Sequence, residues 1–102
     1  MEIDPDIYAA LDKNSEQFIT IVPILELLED LIKKQILSPW QVKDIELLIH
    51  TEDMNGKLLE ILMEARGDKD FDLFCGLLKI NRNNKVKDFG TKLEHDAKRG
   101  SS

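Results

Sequence analysis

Ile24, Leu27, Leu28, Leu31 and Ile32 recur at i, i+3, i+4, i+7 and i+8 in "ILELLEDLIKK". A period of 3.6 residues gathers all five on one side of an α-helix, while a pleated strand would scatter them over both faces. Glu26, Glu29, Asp30 and Lys33 then point away from that stripe. An apolar stripe this wide is stable in water only when other stripes cover it, so the rest of the chain has to supply them.

Five further segments carry such stripes. The first runs from about Asp4 to Val22, with Tyr8, Leu11, Phe18 and Val22 near one face and an interruption at Asn14–Ser15 that predicts a bend in a long helix. The second, holding the stripe above, runs from Pro23 to Gln35. The third runs from Pro39 to His50, with Val42, Ile45, Leu48 and Ile49 inward. Its start, "SPWQ", offers Ser38 as cap, Pro39 as first helical residue and Gln41 as the reciprocal partner of a capping box. The fourth spans about Asp53 to Arg66 (Leu58, Leu59, Leu62 and Ala65 inward) and the fifth about Lys69 to Ile80 (Phe71, Phe74, Cys75 and Leu78 inward). "NRNN" is a turn, and the sixth segment spans about Lys85 to Ala97, with Val86, Phe89 and Leu93 inward. No segment shows strand alternation. The expected fold is all-α, a compact antiparallel bundle. Residues 1–98 form the expected domain, and 99–102 read as a frayed tail or linker.

The bulk numbers narrow the class. At 102 residues the chain is one domain, large enough for a core without metals or disulfides. One cysteine, Cys75, excludes an internal disulfide, and the acidic start "MEIDPDIYAA" does not resemble a signal peptide. No apolar run approaches the roughly 18 residues that cross a bilayer. The expected compartment is the cytosol. A net charge of −6 makes nucleic acid and anionic membranes poor partners, and a protein with a basic patch an easier one.

Arg66-Gly67-Asp68 carries an adhesion tripeptide, but its position between two helical segments gives it a plainer reading. Gly67 is expected to close the fourth helix in the left-handed conformation and Asp68 to cap the fifth.

"RGDKDFDLFCGLL" resembles the signature of the caspase-recruitment domains: an Arg/Lys-Gly turn, then Phe71, Phe74 and Leu78 at the family's spacing. "ILELLEDLIKKQIL" is similar to the second helix of that family, "ALDKNSEQF" to its first and "KVKDFGTKL" to its sixth, so the likeness spans residues 6–97. It is closest to initiator-caspase prodomains and their adaptors. "DFGTKLEH" lacks the Arg-x-Asp-Leu motif of the related death-effector domains, and a full third helix separates the chain from the pyrin type. The resemblance implies a six-helix antiparallel Greek-key bundle, the death fold, with a kinked or split first helix. It further implies homotypic binding to other caspase-recruitment domains, such as an initiator caspase, adaptor or scaffold, and assembly into homo-oligomers or filaments.

In that family, basic residues on the first and fourth helices meet acidic residues on the second and third helices of a neighbour. Lys13 and Lys57 match the basic positions, with Arg66 close by; Glu26, Glu29, Asp30, Asp44 and Glu46 populate the acidic side. Asp12 and Ser15 stand where more basic members carry Arg, so the acidic face is expected to carry more of the specificity. A charged run on a helix is ordinarily a solvated face, and Glu29–Lys33 reads as a plain i, i+4 pair. Trp40 reads as packed against a neighbouring helix, with an exposed binding anchor as the alternative. Leu25 falls off the apolar stripe and is expected in solvent.

Enzymatic chemistry finds no support in the sequence. Cys75 lies on a core face, His50 reads as a helix C-terminal residue and His95 as a solvated one, and neither histidine has metal-ligand or catalytic spacing. Gly56, Gly76 and Gly90 are isolated, with no phosphate-loop pattern. No cofactor or metal is implied, and a catalytic domain following residue 102 is left open. Two other functions compete: a stand-alone decoy that blocks assembly, and a small helical carrier of an apolar ligand.

Overall fold

The computed structural model describes residues 4–64 and 67–99. Asp4 opens it as a helix cap: its Oδ1 accepts the Asp6 N–H at 2.8 Å, and Pro5 takes the first helical position, where a missing N–H costs nothing. Among the described residues seven helices follow: α1 (Pro5–Lys13), α2 (Ser15–Ile21), α3 (Ile24–Lys33), α4 (Pro39–Glu46), α5 (Thr51–Glu64), α6 (Asp68–Lys79) and α7 (Asn84–Asp96). No strand occurs among the described residues.

The bend expected at Asn14–Ser15 is the break between α1 and α2. The helical ladder passes through it, since the Asn14 N–H reaches the Ala10 carbonyl (3.1 Å) and the Phe18 N–H reaches the Asn14 carbonyl (2.9 Å). What the sequence did not disclose is that the Asn14 side chain is buried, only 3% exposed. Its Nδ2 donates to the Ala10 carbonyl (2.8 Å) and to Asp96 Oδ2 (2.9 Å), and its Oδ1 accepts from Lys92 Nζ (2.8 Å). The kink is thereby tied to α7 by an amide whose donors and acceptor are all used, the condition for a buried polar group to stabilise.

This network predicts a pH effect. The hydrogen bond from Asn14 holds the Asp96 carboxyl below the usual carboxylate range, helped by Lys13, Lys92 and His95 and opposed by burial. A depressed folded pKa contributes stability above the unfolded pKa of about 4 and loses it as pH falls through the folded value. Asn14→Ala is therefore expected to lose about 1–3 kcal/mol at pH 7. Urea midpoints should show the gap between the two proteins narrowing below pH about 4; a gap constant to acid pH would refute the role of Asp96.

α2 ends before Pro23, which forces Val22 into extended geometry (φ −62°, ψ 121°) and strands the last carbonyls. Asn55 of α5, 2% exposed, repairs this from across the core: its Nδ2 donates to the Ile19 carbonyl (2.7 Å) and the Val22 carbonyl (2.9 Å). Pro23 itself is the residue before α3, not its first turn. α3 closes in a Schellman arrangement. Gln35 takes φ 60°, its N–H meets the Ile32 carbonyl (2.9 Å), and the Ile36 N–H meets the Leu31 carbonyl (2.9 Å). Ile36 and Leu31 are both wholly buried, the apolar contact that accompanies this motif. Lys98 (φ 59°) closes α7 in the same manner.

The capping box at α4 is present as read, with the Ser38 N–H to Gln41 Oε1 at 2.9 Å and the Gln41 N–H to Ser38 Oγ at 3.2 Å. The end of that helix is not. α4 stops at Glu46, so Ile49 is 87% exposed and Leu48 only partly buried, where both were expected inward. His50 stands immediately before α5 rather than at the end of α4, its carbonyl accepting the Met54 N–H at 3.0 Å. Gly67 is likewise corrected. Its φ of −98° and ψ of −172° are extended, not left-handed, and Asp68 is the first residue of α6 rather than its cap. Ala65 and Arg66 lie outside the described residues.

α6 packs most closely on α7, and α2 on α5. Phe18 of α2 sits at the centre, its ring stacked on Phe74 (5.5 Å between centroids) and edge-on to Phe89 (6.3 Å). Leu11, Leu31, Ile45, Leu58, Leu62, Phe71, Leu78 and Leu93 close the core around it. Tyr8 and Ile32, expected inward, are 47% and 41% exposed, and Leu25 is in solvent as expected. Beyond the last helix, Arg99 is anchored: its Nε and Nη2 grip Asp72 (3.1 and 2.7 Å), and Nη1 lies 3.5 Å from Asp68.

Candidate interaction surface

α3 exposes Glu26, Glu29 and Asp30, which its periodicity places along one outer stripe. Glu29 lies 3.5 Å from Lys33, with the side chains 81% and 68% exposed; a pair so solvated contributes at most a few tenths of a kcal/mol. Glu26 Oε1 accepts from Asn81 Nδ2 at 3.3 Å. Beside it, Glu26, Asp30 and Arg82 rim a shallow hollow between α3 and the end of α6, floored by Leu27, Leu77 and the exposed Ile80. Asp44 and Glu46 are both exposed on α4. Two residues apart on a helix, they point about 200° from each other, so they cannot share one face with each other.

The basic positions are less available. Lys13 is exposed on α1. Lys57 is 36% exposed and lies 3.5 Å from Glu60 on its own helix. α5 carries Glu52, Asp53, Glu60 and Glu64 against that one lysine. Arg66 lies outside the described residues.

Trp40 corrects its reading: it is 75% exposed, with the Lys43 ammonium 5.1 Å from its ring centre. Its position explains this. Pro39 and Trp40 occupy the first turn of a short helix whose inward residues are Val42 and Ile45. Leu47 (81%) and Ile49 (87%) extend the exposed apolar surface past the end of α4. The run Leu47-Leu48-Ile49 held a signal: three consecutive apolar residues cannot all face one core.

Cys75 is wholly buried, and burial pushes its thiol well above the ordinary range, with Glu94 and Asp72 adding to the effect. A thiol so placed is not a nucleophile at neutral pH. Among the described residues no cluster of His, Cys, Asp and Glu could hold a metal ion, and no helix is long and apolar enough to cross a membrane.

The structure is thus a closed helical core that displays charged side chains and a few large apolar ones, Trp40, Leu47 and Ile49 among them, on its surface. The profile of the caspase recruitment domain matches residues 9–92, and the chain belongs to that family, whose members are non-catalytic modules for homotypic protein–protein interaction. Comparison with curated proteins and with solved structures gave no match.

Proposed function

We propose that the chain captures a partner caspase-recruitment domain by presenting Glu26, Glu29 and Asp30 of α3 to a basic patch, in the cytosol, in apoptotic or innate immune signalling. The observation that carries this reading is the exposed α3 stripe, whose nearby cations Lys33 and Arg82 are themselves exposed to solvent. Residues 1–98 serve as the domain, with α1 and α2 the two halves of one split helix in a six-helix Greek-key bundle. Asp44 or Glu46 extends the acidic face, and Trp40, beside Lys43, supplies an aromatic anchor of the kind that concentrates binding energy. Lys13 and Arg66 offer the opposite charge, Lys57 being engaged by Glu60 among the carboxylates of α5, and a heterologous contact between that face and α3 that does not close would build a homo-oligomeric filament.

A partner identified by pull-down from cytosol provides the test. Glu29→Lys with Asp30→Lys is expected to weaken it about tenfold or more, and wild-type binding should fall with salt. Trp40→Ala should cost at least about 1 kcal/mol of binding with little change in melting temperature. Undiminished capture by the folded double variant would place the contact elsewhere. The decoy reading differs in outcome only: the chain would then dissolve a partner's assembly instead of nucleating one. The carrier reading requires an enclosed apolar cavity, whereas the hollows bordering α3 and α5 are open and rimmed by charge.

A further inference from the structure

α5 lies against α2 and α1, and along that seam its outer side is a groove rather than a ridge. Two hollows meet there. One is walled by Ile19 of α2 and by Leu48, the other by Tyr8 of α1 and by Met63, and both share Gly56 and Glu60. Gly56 is what lets them meet. A Cβ built on it would touch nothing within 4 Å, so the space above the glycine is open. Asp53, Gly56, Glu60 and Glu64 follow one another at helical spacing over about 16 Å.

The rim of this groove is predominantly acidic, four carboxylates to one lysine. Glu52, Asp53 and Glu60 border the first hollow and Glu60 and Glu64 the second, while Lys57, the one cation on α5, lies 3.5 Å from Glu60. Its floor and walls are apolar. Leu47 and Ile49, on either side of Leu48 in the chain, continue the apolar surface into solvent beyond the groove.

We propose that this groove seats a basic amphipathic helix of a partner protein, apolar side chains over Gly56 and lysines or arginines against the rim carboxylates. The charge on the groove selects the occupant. An acidic or neutral segment would leave the carboxylates uncompensated, and a second copy of this chain would bring a net charge of −6 to an acidic face. The proposal deepens the reading of the chain as a protein-binding module and rests on it. The face that offers Lys57 is a second acidic site, selective for basic partners.

The test titrates the isotope-labelled protein with a stapled synthetic helix of about 14 residues, with leucines at i, i+4 and i+7 and lysines on either side. Two control peptides accompany it, one with the same composition scrambled and one with every lysine changed to glutamate. Amide shifts are expected at Ile19, Leu48, Gly56 and Glu60, with affinity that falls as salt rises. Gly56→Leu fills the junction, so it should weaken binding at least tenfold while melting at or above the wild-type temperature. Glu60→Lys should weaken it similarly, and the control peptides should bind at least tenfold more weakly. Equal binding by Gly56→Leu, equal binding of the scrambled peptide, or shifts centred on α3 would overturn the proposal. So would self-association in sedimentation that Gly56→Leu abolishes, which would make a second copy the occupant. Glu29→Lys with Asp30→Lys should leave this peptide's affinity unchanged. If those changes abolish partner capture while Gly56→Leu spares peptide binding, the groove alone is refuted and the α3 reading stands.

Discussion

Phe18→Ala is expected to lose about 3–5 kcal/mol of stability, the range for removing a wholly buried aromatic ring. Phe18 is 0% exposed and joins three helices, resting on Phe74 of α6 and meeting Phe89 of α7 edge-on. The loss has two parts. One is the transfer energy of the ring, and the other is the cavity left in the core that Phe18 shares with Leu11, Leu58 and Leu62. In a domain of this size that corresponds to a fall of about 15–30 °C in melting temperature. Urea denaturation with an unchanged slope would assign the loss to the native state. A loss below about 1 kcal/mol would mean that α2 does not seat its ring in the core.

Gly90→Val should be nearly as costly, about 3 kcal/mol, for the opposite reason. A Cβ on Gly90 would lie 2.7 Å from the Leu78 Cβ, 3.1 Å from the Cys75 carbonyl oxygen and 3.2 Å from the Lys79 Cγ. The lysine can swing aside, but the other two are fixed by the backbone of α6, so α6 and α7 must separate. Gly56→Ala is the control within the same molecule. Nothing stands within 4 Å of its added Cβ, and a glycine inside a helix costs roughly 0.5–1 kcal/mol relative to alanine, so this change should stabilise by that amount. Opposite signs at two helical glycines, measured by thermal or urea melting, would verify the geometry of both. A neutral Gly90→Val would show that α6 and α7 do not approach so closely.

Such effects separate what is local from what is not. The stripe on α3, the capping box at Ser38 and Gln41, and the bend at Asn14–Ser15 were all legible because each depends on neighbours within about one helical turn. The acidic residues of α3 were placed on the surface for the same reason: they face away from a stripe that must be covered. The likeness around Phe71, Phe74 and Leu78 pointed to the family because all three lie on the buried side of α6.

Trp40, Ile49 and Gly67 were misread where a helix end or a packing partner had to be known. Trp40 reads as core from its residue type, yet it stands about 200° round α4 from Val42, so the packing that turns Val42 and Ile45 inward turns it out. Gly67 was assigned left-handed geometry from its residue type, yet the backbone there is extended. The roles of Asn14 and Asn55 were hidden because their partners lie far off in the chain, Asp96 and Lys92 for one and the carbonyls of Ile19 and Val22 for the other.

By itself, the order of residues determined that this protein is a helical bundle of the caspase-recruitment kind with an acidic surface. Hydrophobic periodicity and side-chain charge are properties of the chain before it folds. Only the tertiary structure decided that Asn14 locks the kink to α7, that Gly90 permits α6 and α7 to pack closely, and that Lys57 sits among carboxylates beside an open groove. Those outcomes depend on distances between segments remote in sequence, which exist only once the core has closed.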